Sequence, residues 1–117
     1  MNLIVLALTT LFVNASNDYI LSARGSDKKE PYFKINNIRI SDIQLCKEKT
    51  CRAFLIASGK VKYSKKLKSD SGGTNPTSFL CKDLLGVADI AVSNKGNDIS
   101  VCRFDDGSFL LSWDLVK

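Results

Sequence analysis

Two pairs of carboxylates are the first residues in this chain whose type and spacing suit chemistry. Asp105 and Asp106 are adjacent, and Asp89 and Asp98 lie nine residues apart. Two carboxylates across a cleft are the machinery of glycoside hydrolysis, one as acid and the other as base or nucleophile. The competing reading of Asp105-Asp106-Gly107 is a tight turn, because aspartate bonds its own backbone and glycine takes a positive φ. The 117 residues include no histidine, which removes Ser-His-Asp and Cys-His nucleophiles, His-ligated zinc and any imidazole switch near neutral pH. A protein that is not an enzyme and needs no cofactor is therefore expected, with a small cell-wall glycan hydrolase as the alternative from another class.

Cations are distributed unevenly. Residues 47–70 carry Lys47, Lys49, Arg52, Lys60, Lys62, Lys65, Lys66 and Lys68 against Glu48 and Asp70, a net charge of +6. Residues 16–46 are nearly balanced at +1, and residues 71–117 come to −2. Such a basic segment steers anionic partners and makes their binding salt-dependent, although a lysine-rich loop also serves simply as a solvated face. Nucleic acid is not expected, since only Tyr63 is interleaved with the lysines and no recognition helix accompanies them. Gly59 to Tyr63 alternates with period two, which is not the pattern of a basic amphipathic helix that inserts into membranes.

Cys46, Cys51, Cys81 and Cys102 are even in number, and in an oxidising compartment they imply two disulfides. Zinc is disfavoured, because structural sites bring cysteines in close pairs and no histidine completes a mixed set. Of three possible connectivities, spacing favours Cys46 with Cys51, flanking a four-residue turn between two strand-like runs, and Cys81 with Cys102. The longer bridge is worth about 3 kcal/mol in the chain-entropy model.

The amino terminus supports that compartment. Residues 3–13 are an apolar run, about half of what a spanning helix needs. Val13-Asn14-Ala15 follows with compact residues suited to a cleavage site. A signal peptide over 1–15 is expected, giving a secreted or periplasmic chain with no transmembrane segment. The anionic partners at hand there are lipopolysaccharide, phospholipid headgroups, cell-wall polymers or an acidic protein.

The elements that must position these residues read as an α+β fold, small, disulfide-bonded and mostly antiparallel. A β-rich half spans 16–70, with residues 51–63 as a strand bulged at Gly59 and the basic segment forming a hairpin. Residues 64–74 read as a linker. The second half, 71–117, opens on one short helix over about 76–85, with Asn75 and Pro76 at its start and Gly86 as a left-handed cap. Three strands follow over 87–93, 99–104 and 108–113, forming a meander on which the helix packs. Cys102 and Phe104 are expected to share the helix-covered face with Phe109, Leu111 and a core Trp113.

These same residues carry a resemblance. Asn75-Pro76-Thr77-Ser78, Cys81, then Cys102-Arg103-Phe104-Asp105-Asp106-Gly107 and Trp113 resemble a family of small secreted bacterial domains of unknown function that circulates under a hemolysin label. The likeness covers roughly residues 74–117. Leu110 stands where members usually have a further cysteine, and Leu85-Gly86 where they have a Gly-Gly pair. The resemblance implies export, a Cys81 to Cys102 disulfide and no established catalytic residues.

The reading that follows is a non-catalytic interaction module presenting the basic 47–68 hairpin to an anionic envelope component or acidic protein. An inhibitor of a secreted enzyme, using the loop between Cys46 and Cys51, is the alternative within binding, since a pre-organised loop loses little entropy on docking.

Overall fold

The structure, a computed structural model, describes residues 18–22, 28–66 and 75–117. The expected signal peptide, most of the expected linker and Lys68 lie outside the described residues.

Six antiparallel strands close into a barrel. They are β1 (Tyr19–Ser22), β2 (Lys29–Ile35), β3 (Ile38–Ser41), β4 (Val87–Ser93), β5 (Asp98–Arg103) and β6 (Phe109–Leu111), in the order β1-β2-β3-β6-β5-β4. The expected C-terminal meander is present as β4-β5-β6, and it closes against an N-terminal meander through β1 with β4 and β3 with β6. Asn36 and Asn37 join β2 to β3 with φ of 49° and 70°, the two positive values that a two-residue hairpin turn requires and that asparagine tolerates. Gly107, at φ 89°, performs the corresponding duty between β5 and β6.

A barrel this narrow is filled by side chains. Ile20, Tyr32, Ala91, Val101, Phe109 and Leu111 form that interior cluster. Alternation sends the next residues outward, where Ile38, Ile40, Cys102 and Leu110 build a second core with three short helices. These are α1 (Gln44–Lys47), α2 (Arg52–Ala57) and α3 (Thr77–Asp83), while the last strand runs into a 3-10 helix over Ser112–Val116.

Two arginines on inward-facing positions are held by carboxylates. Arg103 forms a bidentate pair with Glu30 at 2.9 and 3.2 Å, contacts Asp89 at 3.1 Å and lies over the Phe109 ring. Arg39 grips the fully buried Asp114 through Nε, Nη2 and its own backbone N–H, at 2.8 to 2.9 Å.

Five expectations change. In place of one short helix, the described residues form three and a 3-10 helix. Residues 51–63 do not form a strand: they are α2, its end and an extended run, so the basic segment is no hairpin. Phe109 and Leu111 face the barrel interior, and Leu110 takes the place expected of them beside Cys102. All three are buried, so no alternation in polarity marks the register, and a one-residue slip exchanges the faces. Trp113 is 45% exposed on the 3-10 helix and does not join the core. At the end of α3 the left-handed residue is Leu85, φ 69°, and not Gly86. Gly86 is required for another reason: a Cβ there would collide with Cys102 Sγ and come within 2.9 Å of Cys81 Sγ.

Candidate anion-binding face

Both disulfides form as spacing favoured, Cys46 with Cys51 and Cys81 with Cys102, and all four residues are buried. The first ties α1 to α2 at a Cα separation of 4.8 Å. It folds 47–50 into a compact bend in which the N–H groups of Thr50 and Cys51 both donate to the Leu45 carbonyl. Lys49 occupies that bend with φ 65°.

The start of α2 depends on distant partners. A helix leaves its first N–H groups without intrahelical acceptors. Here the Asp106 carboxylate accepts from the Arg52 N–H at 2.7 Å, the Ser108 hydroxyl from Ala53 N–H at 3.2 Å, and Cys51 Sγ from Phe54 N–H at 3.2 Å. Asp106 also accepts from the Ser108 N–H and hydroxyl. Burial opposes its ionisation, and these donors outweigh burial, holding its carboxyl below the ordinary aspartate range.

After Gly59, at φ 87°, the chain leaves α2 and runs across the outer core as a strap over residues 60–66. Val61 and Tyr63 pack inward against that core, and the Tyr63 hydroxyl donates to the Leu115 carbonyl at 2.8 Å. Lys60 and Lys62, at the alternate positions, are exposed, as are Lys65 and Lys66. Beside the strap runs a groove of about 320 Å³, lined by Lys62 and Lys66 of the strap and by Pro76, Phe79, Leu80 and Asp83 of the α3 region.

The cations nominated from sequence separate into groups. Lys49, Lys60, Lys62 and Lys66 are exposed and have no carboxylate partner among the described residues. Lys47 stands 3.6 Å from Asp42, and Lys65 donates to the Lys117 carbonyl. Arg52 is half-buried, and its Nη2 donates to the Leu84 carbonyl at the end of α3. That arginine is positioned as an inter-helix tie.

The nominated carboxylates do not converge. Asp106 caps α2, Asp89 holds Arg103, and Asp105 and Asp98 are exposed. Asp89 pairs with Val101 and Asp98 with Val92, so the two lie three positions apart along the hairpin and on opposite faces of it.

No family model, curated protein or solved structure matches this chain. The chemistry of the face is therefore read from its own residues. No grouping of three metal-binding side chains occurs among the described residues, and none of the described helices is long and apolar enough to cross a membrane. Two buried disulfides, with no free cysteine among the described residues, fit an oxidising compartment.

Proposed function

We propose that this protein is a secreted or periplasmic binding module that presents the lysines of residues 47–66 to an anionic envelope component or an acidic protein. One observation carries the reading. The strap is anchored by Val61 and Tyr63 while Lys60, Lys62 and Lys66 stay exposed, with no carboxylate partner among the described residues. Arg39 and Arg103, by contrast, are neutralised by carboxylates. Charge held on an anchored backbone loses less entropy on docking than charge on a free tail. Long-range attraction from such a cluster sets the association rate and its dependence on salt. The resemblance of residues 74–117 to a secreted family supports export in this reading, and the hemolysin label which that family carries adds nothing about lysis.

Co-sedimentation with phosphatidylglycerol vesicles at low salt tests it. The combined Lys60→Glu, Lys62→Glu, Lys66→Glu variant is expected to bind at least about tenfold more weakly, since each reversal replaces an attraction with a repulsion. Undiminished binding by a folded variant rejects the electrostatic face. A tight, salt-insensitive 1:1 complex with a secreted enzyme would assign the module to inhibition through the Cys46 to Cys51 loop instead.

A further inference from the structure

A second groove, at the disulfide end of the basic segment, differs in composition from the first. Phe33 and Ile35 on the outer face of β2, Cys46 of α1 and Phe54 of α2 line it, together with Lys47, Lys49 and the carboxylate of Asp42. It is a shallow, open groove of about 280 Å³, near the lower bound of small-molecule sites, roughly 300 Å³. Asp42 draws Lys47 aside at 3.6 Å, which leaves Lys49 as the rim cation without a carboxylate among the described residues. The backbone of Lys49 is fixed in place. Its N–H donates to the Cys46 carbonyl at 3.0 Å, and the Cys46 to Cys51 bridge closes the bend that carries it.

We propose that this groove binds the monomer of a single-chain anionic amphiphile, with the alkyl chain along Phe33, Ile35 and Phe54 and a phosphate or carboxylate head on Lys49. Extended peptides are recognised largely through main-chain hydrogen bonds to a sheet edge, whereas here the strands close into a barrel. The buried side-chain polar atom left without a partner among the described residues, Arg52 Nε, belongs to a residue outside the groove lining. An apolar floor with one available cation matches a ligand that has one charge and an apolar body. The inference rests on reading the basic segment as a ligand-binding face, and it assigns a ligand class to the end that carries Lys49.

Titration of the methyl-labelled, disulfide-intact protein with dodecyl phosphate, kept below its micelle concentration, is the test. Saturable shifts of the Ile35 methyl and of the Phe33 and Phe54 ring signals are expected. Lys49→Glu should weaken the response about tenfold, the loss of one charge-assisted contact, while inorganic phosphate and uncharged dodecyl maltoside leave those signals in place. An equal response to dodecyl maltoside, an undiminished response in Lys49→Glu, or shifts confined to residues 60–66 would each overturn the proposal. So would a Glu-Leu-Glu peptide that moves the Ile35 methyl where dodecyl phosphate does not, an outcome that points to a protein partner. Failure here, with the strap variant still losing vesicle binding, removes this inference alone. Vesicle binding that survives the strap substitutions removes the functional reading instead.

Discussion

The Asp106 carboxylate accepts the backbone N–H of Arg52 at 2.7 Å, across 54 residues of sequence. That contact joins the turn before β6 to the first residue of α2, and so fixes the helix from which the basic strap departs. An aspartate that composition alone nominates for acid-base work is thereby engaged as a helix cap.

Asp106→Ala is expected to cost about 1–2 kcal/mol, the usual loss for removal of a helix cap. Urea unfolding would register it as a lower midpoint with an unchanged slope. A variant as stable as the parent would show that α2 does not need this cap.

Acid should weaken the fold through the same group and through Asp114. At Asp114 burial opposes ionisation, and the hydrogen bonds from Arg39 and Lys117 outweigh it, so this carboxyl too is held below its ordinary range. A carboxyl depressed in the folded state contributes stability that is fully present above its unfolded pKa, about 4. That stability is lost as pH falls through the lower folded value. The urea midpoint is therefore expected to stay level from neutral pH to about 5 and to drop below about 4. Asp106→Asn and Asp114→Asn should each flatten that drop, and an unchanged profile in both would contradict the assignment.

Arg39→Met tests the buried pair from the other side. Asp114 is 1% exposed, and removing the guanidinium leaves its charge with Lys117 as the remaining ion-pair partner. A loss of about 3 kcal/mol is expected, the lower part of the range for breaking a buried pair. Thermal unfolding that shows no loss would mean that the Lys117 ammonium alone suffices.

Gly86→Ala should destabilise by about 1–3 kcal/mol, the typical cost of overpacking, because the added methyl meets both sulfurs of the Cys81 to Cys102 bridge. Leu85→Gly, one residue earlier, is expected to be neutral or mildly stabilising, since Leu85 is 78% exposed in the left-handed region that glycine occupies without strain. Opposite signs at adjacent positions, measured by thermal unfolding, would separate close packing from backbone conformation.

The C-terminal half was the more legible part of the chain. Turn residues bracket β4, β5 and β6 closely, and cysteine spacing led to the observed bridges. α2 is not legible as a helix because its six residues, Arg-Ala-Phe-Leu-Ile-Ala, form an apolar run too short for periodicity to separate helix from strand. Its caps, Asp106 and Ser108, come from more than 50 residues away. Closure of the barrel was hidden for a similar reason. It rests on pairings of β1 with β4 and β3 with β6, which no local pattern announces. In the candidate site the charge of residues 47–66 is plain. Which cations stay available is not, because Arg52 is engaged by the distant Leu84 carbonyl, and the Lys47 contact with Asp42 depends on the α1 fold between them.

The salt dependence of binding to an anionic surface tests the central claim most directly. Affinity for phosphatidylglycerol vesicles, measured across a salt series for the wild type and for the Lys60→Glu, Lys62→Glu, Lys66→Glu variant, should fall steeply with salt for the first and be weak and nearly flat for the second. Equal affinities and equal slopes, with both proteins folded, would contradict the account and leave the strap as a solvated face.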